Sequence, residues 1–138
     1  MRGMKKLSSV LLINDDSTTN FLNNLLLRRL GIAHALLVAE NGAVGLTILT
    51  EVCAGAMPSC PALIFLDVNM PVMNGIGFLE ACQHLPLAHR QAIIVVLLTT
   101  SVHPRDLERV RQLPIAGTLS KPLTEEKIRG VLQRYFPE

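Results

Sequence analysis

The sequence predicts an α/β fold: a single domain over residues 1–138, with one parallel β-sheet and helices on both faces. Three observations carry that prediction. Short apolar runs without strict alternation occur at Val10–Ile13, Ala35–Ala39, Ala62–Leu66 and Ile93–Leu98, with a weaker one at Ile115–Leu119. Such runs suit strands covered on both sides. Stretches with apolar residues at helical spacing lie between them. The two patterns alternate five times with no linker, internal repeat or low-complexity tract between them, and alternation of this kind implies a parallel sheet.

The elements follow in order. After the first strand, Phe21, Leu22, Leu25, Leu26 and Leu30 form one apolar stripe, closed by Arg28, Arg29 and Gly31 as C-terminal signals. After the second strand, a helix is expected from Gly42 to Ala54, with Val44, Ile48 and Val52 on its inner face. A third begins near Gly75 and carries Ile76, Leu79 and Cys82 inward. The fourth is expected to start at Pro104, an ordinary first helical position, and to bury Leu107, Val110 and Leu113. The fifth has Thr124 as N-cap, Glu125 and Glu126 against the positive end of the dipole, and Ile128, Val131, Leu132 and Tyr135 inward.

Composition narrows the class. A chain of 138 residues, 49% apolar, suits one domain that buries roughly two-thirds of its unfolded surface. Thirteen basic against eleven acidic side chains leave a formal charge of +2, and the arginines are scattered through helical stretches, so nucleic-acid binding is not expected. The first sixteen residues mimic a signal peptide, but the apolar core stops at Asn14, Asp15 and Asp16, and no segment is long enough to span a membrane. Cys53, Cys60 and Cys82 lack metal-ligand spacing and are expected to be reduced thiols, which points to the cytoplasm.

In open parallel sheets, ligands bind beyond the carboxyl ends of the strands, where strand order reverses. Asp15 and Asp16 follow the first strand, Asp67 the third, Thr99, Thr100 and Ser101 the fourth, and Ser120 and Lys121 the fifth. Three of the four aspartates in the chain fall at these tips. With the order 2-1-3-4-5, the first and third strands are neighbours and their acids converge. Two carboxylates about 4 Å apart repel by roughly 4 kcal/mol at an effective dielectric of 20, so the group needs a cation. Oxygen ligands without histidine or thiolate select a hard ion, and Mg²⁺ is the natural one. With Lys121 as a second positive charge and Thr99 as a hydroxyl donor, the crevice is suited to phosphoryl transfer, with Asp67 as acceptor.

These residues together resemble the receiver domain of two-component response regulators, of the stand-alone type similar to the chemotaxis regulator. The resemblance covers essentially the whole chain: the acidic pair Asp15-Asp16, Asp67 followed by MPVMNG, the hydroxyl of Thr99, and the Lys121-Pro122 step. It implies a flavodoxin-like (βα)5 three-layer sandwich. Asp67 would accept phosphate from a sensor histidine kinase or a histidine phosphotransfer protein, and the domain would catalyse only its own phosphorylation and dephosphorylation. Asp16 and Asp67 would ligate Mg²⁺, with Asp15 nearby through water and the backbone carbonyl of Asn69 completing the protein ligands. Thr99 and Lys121 would contact phosphoryl oxygens, and the peptide before Pro122 would be cis. A downstream effector protein, or a second histidine protein in a relay, would receive the signal.

Duller readings compete residue by residue. Asp16, Ser17 or Thr18 is a ready helix cap, Thr99 a strand-end hydroxyl, and Lys121 a surface charge with a buried stem. His34, His84, His89 and His103 gather at no shared strand end and read as surface or packing residues. Two other classes share parts of the pattern. A haloacid-dehalogenase-like Mg-dependent phosphatase needs a second acid two residues after its nucleophile, where this chain has Asn69. A flavodoxin needs a phosphate-cradling loop after the first strand, where Asp15 and Asp16 would repel the ligand. The chain also departs from the receiver pattern: Thr118 stands where many relatives place a rotating Tyr or Phe, and Thr100 is bulkier than the usual residue beside the hydroxyl position.

Overall fold

The computed structural model describes residues 6–53, 61–67, 75–86, 93–99, 112 and 115–137. Five strands, β1 (Leu7–Ile13), β2 (Ala33–Ala39), β3 (Leu63–Asp67), β4 (Ile94–Thr99) and β5 (Gly117–Ser120), form one sheet in the order β2-β1-β3-β4-β5. Every pairing is parallel. The described helices are α1 (Ser17–Leu30), α2 (Gly42–Cys53), α3 (Gly75–Cys82) and α4 (Glu125–Tyr135). The helix expected from Pro104, together with Ala54, Cys60, Asn69, Met70, Met73, His89, Thr100, Ser101 and His103, lies outside the described residues.

The unbroken apolar runs of the inner strands have a simple cause. Successive side chains of a strand point to opposite faces, so a strand with a core on each side has no position to give to water. Leu11 and Ile13, Ile64 and Leu66, and Val95 and Leu97 enter one core, which includes residues of α2 and α3. Val10 and Leu12, Leu63 and Phe65, and Val96 and Leu98 enter the other, which includes residues of α1 and α4. The edge strands do not follow the expectation of two-sided cover: His34, Ala35 and Val38 on β2 and Thr118 and Ser120 on β5 are exposed.

Helix ends match the local signals. Gly31 adopts φ 63° and donates its amide to Leu27 O and Arg28 O, closing α1 in the left-handed conformation that glycine alone takes without cost. Thr124 caps α4, and Ile128, Val131 and Leu132 point inward as expected. Tyr135 is half-buried and donates its hydroxyl to Ala116 O at 2.7 Å.

Two inner faces differ from the expected ones. On α1, Phe21, Leu22 and Leu25 are exposed, at 63, 57 and 50%, while Asn20, Asn23 and Leu27 are buried. Leu26 and Leu30 do pack on the core. The helix is rotated because Asn20 is drawn under the loop after β1, where its amide donates to Asn14 O at 2.7 Å. On α2, the buried residues are Gly42, Gly45, Leu49 and Cys53, one position on from the expected Val44, Ile48 and Val52, and Val44 is exposed. Gly45 favours this rotation: a Cβ there would lie 2.7 Å from Ile13 Cδ1 and 3.4 Å from Phe78 Cε1, so a larger residue could face the sheet at this packing distance only if the Ile13 side chain gave way. Cys53 is disulfide-bonded, against the expectation of a reduced thiol, while Cys82 is free.

Candidate functional site

Strand register brings the candidate residues to one end of the sheet. Ile13 pairs with Leu66, Asp67 with Leu98, and Thr99 with Ser120, so Asn14, Asp67, Thr99 and Lys121 stand at or one step beyond neighbouring strand tips. Backbone bonds carry the ladder into the loops: Asn14 donates its amide to Ala39 O at 3.0 Å, and Lys121 donates its amide to Thr99 O at 3.1 Å.

Asp67 is the last residue of β3 and is 2% exposed. Alternation along the strand puts it on the side of Leu63 and Phe65, facing α1 and α4. There the ammonium of Lys121 lies 2.7 Å from Asp67 Oδ1. The contact is an ion pair whose orientation does not complete a hydrogen bond. A buried carboxylate without a countercharge is costly, so the ammonium of Lys121 holds Asp67 in place. Thr99 Oγ1 is also buried, and it has no hydrogen-bond partner among the described residues. A buried hydroxyl without a partner at the strand tip next to an ion pair is a poor structural device and a good ligand donor. The peptide between Lys121 and Pro122 is cis, as the resemblance implied.

The acidic loop is held differently. Asp16 is the N-cap of α1: its Oδ1 accepts from Thr18 N at 3.1 Å and its Oδ2 from Thr19 Oγ1 at 2.7 Å. The Thr19 hydroxyl, with help from the Thr18 and Thr19 amides and the charge of Lys121, keeps the Asp16 carboxyl below the ordinary carboxylate range. The capping reading is therefore correct for Asp16. It does not exhaust the group, because a carboxylate has about four acceptor sites and the two side-chain bonds use two. Asp15 is exposed and lines a groove with Ser17, Asn20, Phe21 and Glu40. Among the described residues no cluster of three or more His, Cys, Asp or Glu is gathered closely enough to hold a metal ion. The chemistry of the donor set still fits a hard cation: carboxylate oxygens, no thiolate or imidazole gathered with them among the described residues, and one acid, Asp67, paired with a cation that could yield it.

The frame under this loop was not legible in the sequence. Asn14 and Asn20 are buried; Asn14 Oδ1 accepts from Asp16 N at 2.9 Å, while Asn14 O accepts from the Asn20 amide. The only available signal was an asparagine directly before the acidic pair. Between α1 and the loop after β5, a cleft of about 340 Å³ is lined by Asn14, Thr19, Asn23, Lys121 and Pro122, among others.

A parallel sheet of this order, with a buried aspartate, a lysine and a hydroxyl at adjoining tips, defines a flavodoxin-like α/β domain with its polar groups gathered at the carboxyl rim. The comparisons agree. The profile of the response regulator receiver domain matches residues 10–133, and the chain belongs to that family. The chain is 33% identical over 127 residues to a probable chemotaxis protein CheY of Rhizobium etli, a match covering 92% of this chain and 91% of that protein. A two-component response regulator from Cytophaga hutchinsonii superposes with a TM-score of 0.81 at 28% identity, covering 95% of this chain and 98% of that one. The receiver domain of sensor histidine kinase PA1611 from Pseudomonas aeruginosa, which has a magnesium ion in its active-site cleft, shares the fold with a TM-score of 0.73 at 20% identity, over 93% and 96% of the two chains. The chain is thus a CheY-like response-regulator receiver of two-component signalling, and the haloacid dehalogenase alternative finds no support.

Proposed function

We propose that Asp67 is the phosphoacceptor of this receiver. A carboxylate oxygen of Asp67 attacks phosphorus, the bond from phosphorus to the donor histidine nitrogen breaks, and the histidine keeps that electron pair, leaving an aspartyl phosphate. The observation that carries the reading is the buried Asp67–Lys121 ion pair, with the Thr99 hydroxyl, unpartnered among the described residues, at the tip of the adjoining strand.

The residues divide the work. Asp67 is fixed at a strand tip, so its oxygen is presented in one direction. The Lys121 ammonium moves from pairing the carboxylate to pairing a phosphoryl oxygen once the carboxylate charge is esterified. The Thr99 hydroxyl donates to another phosphoryl oxygen, which satisfies an atom otherwise left orphaned. Asp15, Asp16, Asp67 and the backbone carbonyl of Asn69 are the groups that would hold Mg²⁺. When bound, the ion neutralises charge that builds on the phosphoryl oxygens. The cleft lined by Asn14, Thr19 and Lys121 borders the lysine of this site.

The same reading covers partners and setting. A sensor histidine kinase or histidine phosphotransfer protein supplies the phosphoryl group, and an effector or relay protein receives the signal. The domain acts as one unit over residues 1–138, catalysing its own phosphorylation and dephosphorylation and no turnover of an outside substrate. We place it in the cytoplasm, away from membrane and nucleic acid, on the family resemblance alone.

The test is incubation with acetyl phosphate and Mg²⁺ followed by intact-mass measurement. Wild type should gain one phosphoryl group, and neither Asp67→Asn nor a chelated sample should. An equal gain in Asp67→Asn would refute the assignment.

A further inference from the structure

Lys127 lies in the first turn of α4, three residues after the cap Thr124. A cation is out of place there, since the positive end of a helix dipole favours acids such as its neighbours Glu125 and Glu126. Its side chain runs back over the loop that precedes the helix. The ammonium donates to Ser120 O at 2.8 Å, to Ser120 Oγ at 3.2 Å and to Pro122 O at 2.9 Å. An ammonium has three donors, so its full complement is used on this loop.

The two carbonyls it grips flank Lys121. Lys121 is itself tied to β4 through its amide and Thr99 O, and its Nζ meets Asp67 Oδ1 at 2.7 Å. We infer that Lys127 is a positioning residue for phosphoryl transfer: it fixes the backbone on both sides of Lys121 to α4, so that Lys121 is presented to Asp67 and then to the phosphoryl group. The inference rests on the reading of Asp67 as phosphoacceptor. Lys127 acts through Lys121 and its charge-assisted bonds to backbone oxygen, the stronger kind, offset its unfavourable place on the helix.

Lys127→Met keeps the aliphatic stem and removes the donors. Its rate of Mg²⁺-dependent phosphorylation by acetyl phosphate, read by intact mass, should fall roughly tenfold, since small misplacements of a reacting group cost this much or more. Its thermal midpoint should stay near that of wild type, and Lys127→Arg should recover most of the rate, because a guanidinium also donates to carbonyls. In a Lys121→Met background, adding Lys127→Met should slow the reaction no further. A Lys127→Met protein as fast as wild type, or the same fold loss in the Lys121→Met background, overturns the inference while leaving Asp67 as acceptor. A wild type that never gains the mass overturns the acceptor reading and this inference with it.

Discussion

Asp67 and Lys121 illustrate how a buried charge is tolerated only as half of a pair. Removing the lysine leaves the Asp67 carboxyl at 2% exposure without its partner, and losses of about 3–5 kcal/mol are typical when one partner of a buried pair is deleted. Lys121→Met should therefore lower the denaturant midpoint clearly, whereas Lys121→Met combined with Asp67→Asn should lower it much less; additive losses would show that the two do not interact. Asp16 caps α1, and on the proposed reading it also ligates Mg²⁺, two tasks that substitution separates. Asparagine still caps a helix, so Asp16→Asn should keep α1 intact and lose Mg²⁺ affinity, while Asp16→Ala should weaken both. Because the Asp16 carboxyl titrates below its ordinary value, its contribution to folding is present above the unfolded carboxylate range and is lost as pH falls through the lowered folded value. The thermal midpoint difference between wild type and Asp16→Asn should be flat at neutral pH and change only in acid. Cys82 offers an independent check on packing. Burial pushes its thiol up to about 12, so it stays protonated at neutral pH and should resist iodoacetamide in the folded protein. Fast labelling of the native chain would contradict its placement.

The elements show where reading from sequence succeeds and where it stops. Strand positions were legible because the inner strands carry two cores and are apolar over most of their length; β1, β3 and β4 lie where their runs predict, with ends differing by at most three residues. Helix ends were legible because capping chemistry is local, as at Gly31 and Thr124. The faces of α3 and α4 were legible too, but those of α1 and α2 were not. On α1 the apolar stripe Phe21, Leu22 and Leu25 points outward and two asparagines point inward, since a hydrogen bond to the loop outweighs hydrophobic pattern at that end. Exchanging Phe21, Leu22 or Leu25 singly for glutamine should leave stability within about 0.5 kcal/mol, where the pattern alone would predict a core-sized loss. A large loss in urea unfolding would restore the original stripe. On α2 the deciding residue is Gly45. Gly45→Ala pushes a methyl into Ile13 and Phe78, both fully buried, and should cost about 1–3 kcal/mol despite the better helix propensity of alanine.

At the scale of the whole molecule, the strand order decides everything that follows. Placing β1 beside β3 and β4 beside β5 brings residues far apart in sequence to one rim. The sequence census found Asp67, Thr99 and Lys121 because each sits at the end of a recognisable strand. It did not find Asn14, Asn20 or Lys127, because their roles depend on loop geometry that periodicity does not encode. Thr118 is exposed on the edge strand β5, so no ring can swing there to report the state of Thr99. Output should then be indifferent to that position, and Thr118→Tyr should leave the change in effector affinity on phosphorylation as it is in wild type. The central claim is that one buried carboxylate carries the phosphoryl group. Its most direct measurement is borohydride trapping of the acyl phosphate followed by peptide mapping, since reduction converts the esterified aspartate to homoserine. The account predicts a single reduced residue at position 67; reduction at Asp15 or Asp16, or at no aspartate at all, would contradict it.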